Sequence, residues 1–420
     1  MKVLVCGASG FIGQSISRYL ASVGHEVVRG VRKPVLPGDI PIDFSTDTDV
    51  PTWLGRLAGI DVVVNAVGIL TEHPTARFET IHHRAPAALF AACAEAGVKR
   101  VIQISALGAE HGDTPYFKSK HAADQALMRL PIAWQILRPA LVYGPDGASA
   151  SLFRILASLP VIPVPEVGQA AFQPIHIDDL VRGIGRAIDP AVPAGQQIDM
   201  VGGERVTYRA MLETYRRAMG FEHPLYVTIP AALMRAAARL SAWMPGAPLT
   251  PDTWRMLQAG SAADAAATTR LLGYPPKRVA QFIAPDCAEL LRLRALAAWR
   301  TGLLRYVLAM LWMATACVSA LVYPMADSLA LLKQVGLAGW PAIAVLYGAS
   351  ILDLMMGVAC IRYPCRALWG MQAALVAGYT VVVCVALPQF LAHPFGPVIK
   401  NAPILAILAI LFAESKSWTT

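Results

Sequence analysis

The chain has 420 residues, a length for two or three folding units rather than one. Hydrophobic residues make up 55% and charged residues only 15%, with a mean hydropathy of +0.49, which excludes a wholly soluble protein. The formal charge of +8 comes from scattered Lys and Arg without a basic stripe or interleaved aromatics, which favours a membrane surface over nucleic acid as partner.

An apolar strand, Lys2–Cys6, runs directly into Gly7-Ala8-Ser9-Gly10-Phe11-Ile12-Gly13, where a helix opens. This is a pyrophosphate site in outline. Gly7 permits the tight turn, Gly10 lets the backbone approach the phosphates, and Gly13 lets the helix pack on the strand. The helix N-terminus presents free N–H groups to the anion, with Ser9, Phe11 and Ile12 lining the turn. A tight turn that binds nothing is the plainer alternative. With a strand starting at residue 2, no signal peptide is expected and the nucleotide domain is expected in the cytoplasm.

A second strand, Glu26–Val31, ends on Val31 where an NAD-type site wants Asp or Glu for the ribose 2′-OH. Arg32 and Lys33 follow, and a guanidinium can grip a 2′-phosphate bidentately, which favours NADP(H) over NAD(H). A solvated basic turn would look the same. The third strand, Asp61–Asn65, delivers Asn65, Ala66, Val67 and Gly68 to the sheet's carboxyl edge, where small residues let a cofactor pass.

Arg100–Ile104 is the fourth strand and brings Ser105 to the same edge. Tyr116 and Lys120 lie four residues apart on the next helix and share a face. An ammonium beside a phenol favours phenolate, so the tyrosine's pKa is expected to fall from about 10. Tyr116 would then exchange a proton with a carbonyl or carbinol oxygen that Ser105 holds, and Lys120 could also bind the nicotinamide ribose. A fifth strand, Ala133–Leu137, completes the set, with helices near 11–23, 50–58, 78–97 and 116–129. The unalternating β-branched strands predict a doubly wound parallel α/β sheet of Rossmann type. Residues 140–295, rich in Pro and Gly with helices near 150–158, 177–188, 207–219 and 229–243, read as a smaller substrate lobe within a 1–295 domain.

These motifs resemble the short-chain dehydrogenase/reductase superfamily, in its extended and atypical branches. "GASGFIG", "VVNAVG", "ISALGA", "YFKSK", "LRPALVYGP" and "FQPIHIDDL" occur in the family's order over roughly residues 1–290. The resemblance implies Ser105, Tyr116 and Lys120 as the catalytic group. It also implies Asp43, Phe44 and Pro139 as further cofactor contacts, with Arg138-Pro139 and 174–179 as the hinge to the substrate lobe. The atypical group related to the nucleotide-binding accessory subunit of respiratory complex I is the nearest in flavour, and its members can bind NADPH without turnover. His82, in "FETIHHRAP", departs from the Asn usual in extended members.

Residues 301–420 read as a second domain with four spans, about 303–323, 341–361, 367–391 and 397–413. The last is short and needs Lys400 to snorkel. "HPFGPVIKNAPILAILAI" (393–410) resembles a DoxX-like membrane domain. Arg292, Arg294, Arg300 and Arg305 precede the first span, and Arg362 and Arg366 sit between the second and third. This bias predicts a multi-pass inner-membrane protein with both termini cytoplasmic. Asp353, inside the second span, must face protein or water, as packing glue or as a quinone or proton site, with Arg305 the nearer cation in depth.

The seven cysteines show neither metal spacing nor a Cys-x-x-Cys motif, so no metal is expected. The expected function is a membrane-anchored NAD(P)H-dependent oxidoreductase acting on a hydrophobic carbonyl or alcohol that partitions into the bilayer. A non-catalytic NADPH-binding scaffold of a membrane complex, or an epimerase/dehydratase, are the alternatives.

Overall fold

Seven strands make the central sheet: β1 (Lys2–Cys6), β2 (Glu26–Val31), β3 (Ile40–Pro41), β4 (Val62–Asn65), β5 (Arg100–Ile104), β6 (Ala133–Pro139) and β7 (Gln196–Met200). They run parallel in the order β7-β6-β5-β4-β1-β2-β3. The computed structural model describes residues 1–243, 247–392, 396 and 398–415. It falls into two units, Met1–Ala295 and Leu296–Thr420.

The helices of the first unit are α1 (Phe11–Ser22), α2 (Val50–Leu54), α3 (Ala85–Glu95), α4 (Pro115–Met128), α5 (Ala148–Ser158), α6 (Ile177–Ala187), α7 (Tyr208–Ala218), α8 (Ala231–Ser241), α9 (Pro251–Ala259) and α10 (Ala266–Leu272). Ile16 and Leu20 of α1 pack with Leu180 and Ile184 of α6 on one face of the sheet, against Val3, Val5 and Val64. On the other face Trp53, Leu89, Phe90 and Leu127 cover Leu4, Cys6 and Val63. Both faces are therefore dry, as the continuous Val and Ile runs require. The strand order reverses between β1 and β4, and at such a switch point the flanking loops diverge and open a crevice.

β3 and β7 extend the expected sheet. β3 has two residues. β7 begins with exposed Gln196 and Gln197 and shows no apolar run; it is recruited by the register that sets Ile198 against Leu137. The lobe core gathers Tyr143, Phe172, Tyr208, Tyr215 and Phe282. Within it Val161–Pro165 pairs in parallel with Leu225–Ile229.

In the second unit, α11 (Pro285–Cys317, beginning in the first) runs on into a π turn at Val318–Val322. It is followed by α12 (Met325–Gln334), α13 (Trp340–Arg362), α14 (Arg366–Ala386) and α15 (Asn401–Glu414). Three helices, Pro285–Val322, Trp340–Arg362 and Arg366–Ala386, are long and apolar enough to cross a membrane. The fourth expected span, 397–413, differs: α15 has 14 residues, about 21 Å of helix against a hydrocarbon core of about 30 Å. Pro397 and His393–Phe395 of the DoxX-like motif, and residues 416–420, lie outside the described residues.

Leu308, Trp312, Met356, Trp369 and Leu408 form the second unit's core. Gln372 is fully buried among them, accepting from Trp312 Nε1 at 3.0 Å. Asp353 is also buried, and its Oδ1 has no partner among the described residues. Arg305 does not reach it. Its guanidinium donates to the carbonyls of Cys360 and Ile361 at the C-terminus of α13, where orphan acceptors attract a cation.

Candidate active site

The glycine turn is built by close backbone contact. Gly7 sits at φ +81°, and the Gly7 and Ala8 amides both donate to Gly30 O, at 3.0 and 3.2 Å. Gly10 caps α1 without a side chain, which leaves first-turn N–H groups facing outward. A Cβ added to Gly13 would lie 2.1 Å from Gly7 O, so only glycine allows α1 this close to β1. Ser9 and Gly10 are exposed; Phe11 and Ile12 are half-buried. The residues present fit a dinucleotide pyrophosphate.

Arg32 and Lys33 are exposed beyond the end of β2. Asp43 is half-buried, and its carboxyl lies below the usual range, chiefly through the Ser45 hydroxyl (2.7 Å) and more weakly through the charge of Arg32. Phe44 departs from its expected place. Its ring is buried edge-on to Trp53, with centroids 5.5 Å apart, so a nucleotide can meet only its main chain. Asn65 departs likewise. Its amide donates to Gln103 Oε1 (2.8 Å) and its oxygen accepts from Val67 N (3.2 Å), so the buried side chain shapes the turn and is not free to hold a ligand. Ala66 and Val67 are half-buried and Gly68 is exposed just past the end of β4. Pro139 is buried at the end of β6, its carbonyl taken by Leu107 N.

Val67 ties the two halves of the site together. A Cβ at Gly7 would meet its Cγ2 at 3.1 Å, while its carbonyl accepts from Lys120 Nζ at 3.2 Å. Lys120 is buried and also donates to Ile104 O at 3.1 Å. Helix α4 is started by the Thr114 cap and by Pro115, which places Tyr116 and Lys120 one turn apart. The Tyr116 ring meets the rings of Phe78, His82 and Phe117 edge-on at 5.3 to 5.9 Å. Burial among them pushes the phenol up to about 12. The expected lowering by Lys120 does not occur. The lysine itself is pulled down to about 8 by burial, and its ammonium is spent on two carbonyls.

Ser105 is the largest departure. Its hydroxyl is buried and donates to Asp124 Oδ2 at 2.5 Å, so it is committed to a partner on α4. Burial raises the Asp124 carboxyl to about 6. Ala106, which has no hydroxyl, instead packs in the small cluster with Phe117 and Tyr116. The strand end alone could not show this, because which face Ser105 takes depends on the partner that α4 supplies. The Ser105→Ala variant is expected to lose about 1–3 kcal/mol of stability by stripping the donor from a buried acid, with turnover per folded molecule unchanged. Denaturant titration alongside kinetics checks this.

His82 is a residue whose role the spacing left open. Its Nε2 accepts from Ile69 N (3.0 Å), so Nδ1 carries the proton toward Ser119 Oγ (3.0 Å), which in turn donates to Tyr116 O. Burial, then the Lys120 charge, drives its pKa down to about 2. It is a neutral strut that fixes the 69 loop against α4. Among the described residues no cluster of metal-ligating side chains occurs.

Residues 3–200 match the NAD dependent epimerase/dehydratase family, and residues 309–409 match the DoxX-like family. The chain joins a short-chain dehydrogenase/reductase-type domain to a DoxX-like one. The Rossmann-bearing part is 27% identical over 249 residues to a ceramide reductase of Caulobacter vibrioides, covering 57% of this chain and 78% of that protein. It is equally 27% identical to the mitochondrial NADH dehydrogenase (ubiquinone) 1 alpha subcomplex subunit 9 of Arabidopsis thaliana, covering 56% of this chain and 61% of that one. Among solved structures, the UDP-N-acetylglucosamine 4-epimerase of Bacillus cereus shares the fold at TM-score 0.54 and 16% identity, over 70% of this chain and 96% of that one. The UDP-glucuronic acid 4-epimerase of the same species, solved with UDP-glucuronic acid and NAD, does so at 0.52 and 20%, over 69% and 100%.

Proposed function

We propose that this short-chain dehydrogenase/reductase-type domain is a membrane-anchored, NADPH-preferring reductase of a hydrophobic carbonyl compound drawn from the bilayer. The observation that carries the reading is the Val67 turn, which lies against Gly7 and accepts from Lys120, one helical turn from Tyr116, and this supports a phenol near a dinucleotide's path. The ceramide reductase relative supports a lipid-like substrate, and the three apolar helices support an anchor. The Arg bias supports the inner membrane with both termini in the cytoplasm.

The nicotinamide supplies hydride when bound. Gly7, Gly10 and Gly13 would hold its pyrophosphate, Arg32 and Lys33 would serve its 2′-phosphate, and Lys120 would bind its ribose through the N–H that its two carbonyl bonds leave over. Tyr116 is a neutral phenol at physiological pH because burial holds it near 12, so its ready role is to donate a proton to the carbonyl oxygen. That state suits reduction; the reverse reaction needs phenolate. Lys120, whose ammonium donates to the carbonyls of Val67 and Ile104, holds the Val67 turn against α4 while it keeps its own proton. Deprotonation of Lys120 near pH 8 removes the charge that strengthens both of those bonds, so kcat/KM for reduction is expected to hold through neutral pH and fall above about 8 as the turn loosens. The test is NADPH oxidation by the full chain with long-chain ketones in nanodiscs, followed against pH; no turnover on any ketone overturns the reading.

Cofactor choice has its own test. The Arg32→Ala variant is expected to weaken NADPH binding by on the order of ten- to a hundred-fold and leave NADH binding unchanged. Calorimetry with both cofactors decides it.

A second reading, a cofactor-binding scaffold of a membrane complex, is favoured by the sequestration of Ser105. The NADH dehydrogenase subunit relative is consistent with it. It requires NADPH binding without turnover and co-purification with a membrane complex.

A further inference from the structure

Helix α8 (Ala231–Ser241) divides into three faces. Met234 and Ala238 turn inward, and Ala238 is the helix's buried residue. Leu233, Ala236, Ala237 and Leu240 form an uncovered apolar stripe at helical spacing, with Leu240 75% exposed. Arg235 and Arg239 line the flank of that stripe, both exposed, and among the described residues neither pairs with an acid. The segment 231–243 contains no Asp or Glu. Just past its end Trp243 is 89% exposed, and on the strand before it Leu225 and Val227 are exposed on alternate positions.

A soluble surface rarely leaves Leu, Trp and an apolar helical stripe uncovered in one place. The composition fits one occupant best. Basic residues flanking a Leu and Trp face are the pattern of a helix that lies in a membrane interface, its apolar side in the acyl boundary and its guanidinium groups among anionic headgroups. The same chain carries three helices fit to cross a bilayer, so such a surface is always attached to it. We infer that α8 and Trp243 dock the lobe onto the anionic surface of the bilayer that holds the C-terminal helices. The inference rests on the membrane reading of that tail and not on turnover at Tyr116. A second copy or a protein partner would need acidic groups to meet Arg235 and Arg239, and the stripe itself offers none in return.

The test uses the full chain with benzoylphenylalanine in place of Leu240 or of Trp243, reconstituted in vesicles of phosphatidylethanolamine and phosphatidylglycerol. Irradiation followed by mass spectrometry is expected to give lipid adducts at both positions. The ratio of adducted to unmodified chain is expected to fall on the order of five-fold for each arginine removed, in Arg235→Gln and Arg239→Gln, and likewise when phosphatidylcholine replaces the anionic lipid. A cross-link to a second copy or another protein, or no adduct at either position, overturns the inference. Lipid adducts insensitive to both arginines and to lipid charge overturn the anionic assignment. NADPH binding, measured on the same samples, reports separately on the nucleotide site.

Discussion

The Tyr116→Phe variant is expected to lose on the order of a hundred- to ten-thousand-fold in kcat while binding NADPH as the unaltered protein does. The change removes one oxygen and keeps the ring, so the edge-on contacts with Phe78, His82 and Phe117 survive and the site retains its shape. The loss is then chemical. Ser105 is committed to Asp124 and the Ser119 hydroxyl to the Tyr116 carbonyl, so neither is free to substitute for the phenol. Single-turnover kinetics with saturating NADPH measures it, and equal turnover by Tyr116→Phe removes the phenol from the mechanism.

The Gly13→Val variant is expected to abolish NADPH binding and to lower stability by more than the roughly 1–3 kcal/mol of ordinary overpacking. Already the first carbon of a side chain would stand 2.1 Å from Gly7 O, and what it meets is backbone, which cannot swing aside. α1 must therefore lift from β1, which takes its first-turn N–H groups away from the phosphates and uncovers Ile16 and Leu20. Thermal unfolding with and without NADPH checks both halves: the midpoint falls, and the cofactor no longer raises it. Gly10→Ala makes the comparison, since its added carbon meets Gly7 O only at 3.3 Å and costs the fold far less.

Much of the molecule could be read before any coordinates. β1, β2 and β5 begin and end at the residues expected from the sequence, because each is built around Val and Ile pairs that parallel strands need to bury. The glycine turn was legible for a related reason: a φ of +81° at Gly7 and a 2.1 Å clash at Gly13 leave a local signature that no other residue type meets. β7 was not legible, because an edge strand with Gln196 and Gln197 exposed carries no periodic signal and is defined by its partner. The short helices α9 and α10 escaped because nine and seven residues hold too few turns for their apolar positions, Trp254 and Leu272 among them, to show a helical period. α12 escaped because its residues lie between two stronger hydropathy runs.

Sequence by itself determined the order of the chemistry: a cradle for phosphates, a basic turn, a Tyr–Lys pair one helical turn apart, and a greasy tail long enough to cross a bilayer. Those features are local, set by residue type and spacing along a few turns. Only the tertiary structure decided which of them face the crevice. It turned Ser105 toward Asp124, sank the ring of Phe44 against Trp53, spent Asn65 on Gln103 and Lys120 on two carbonyls, and set the half-buried phenol among rings that keep it protonated. Each of these outcomes depends on a partner distant in sequence, and side-chain direction at a strand end follows from where that partner packs.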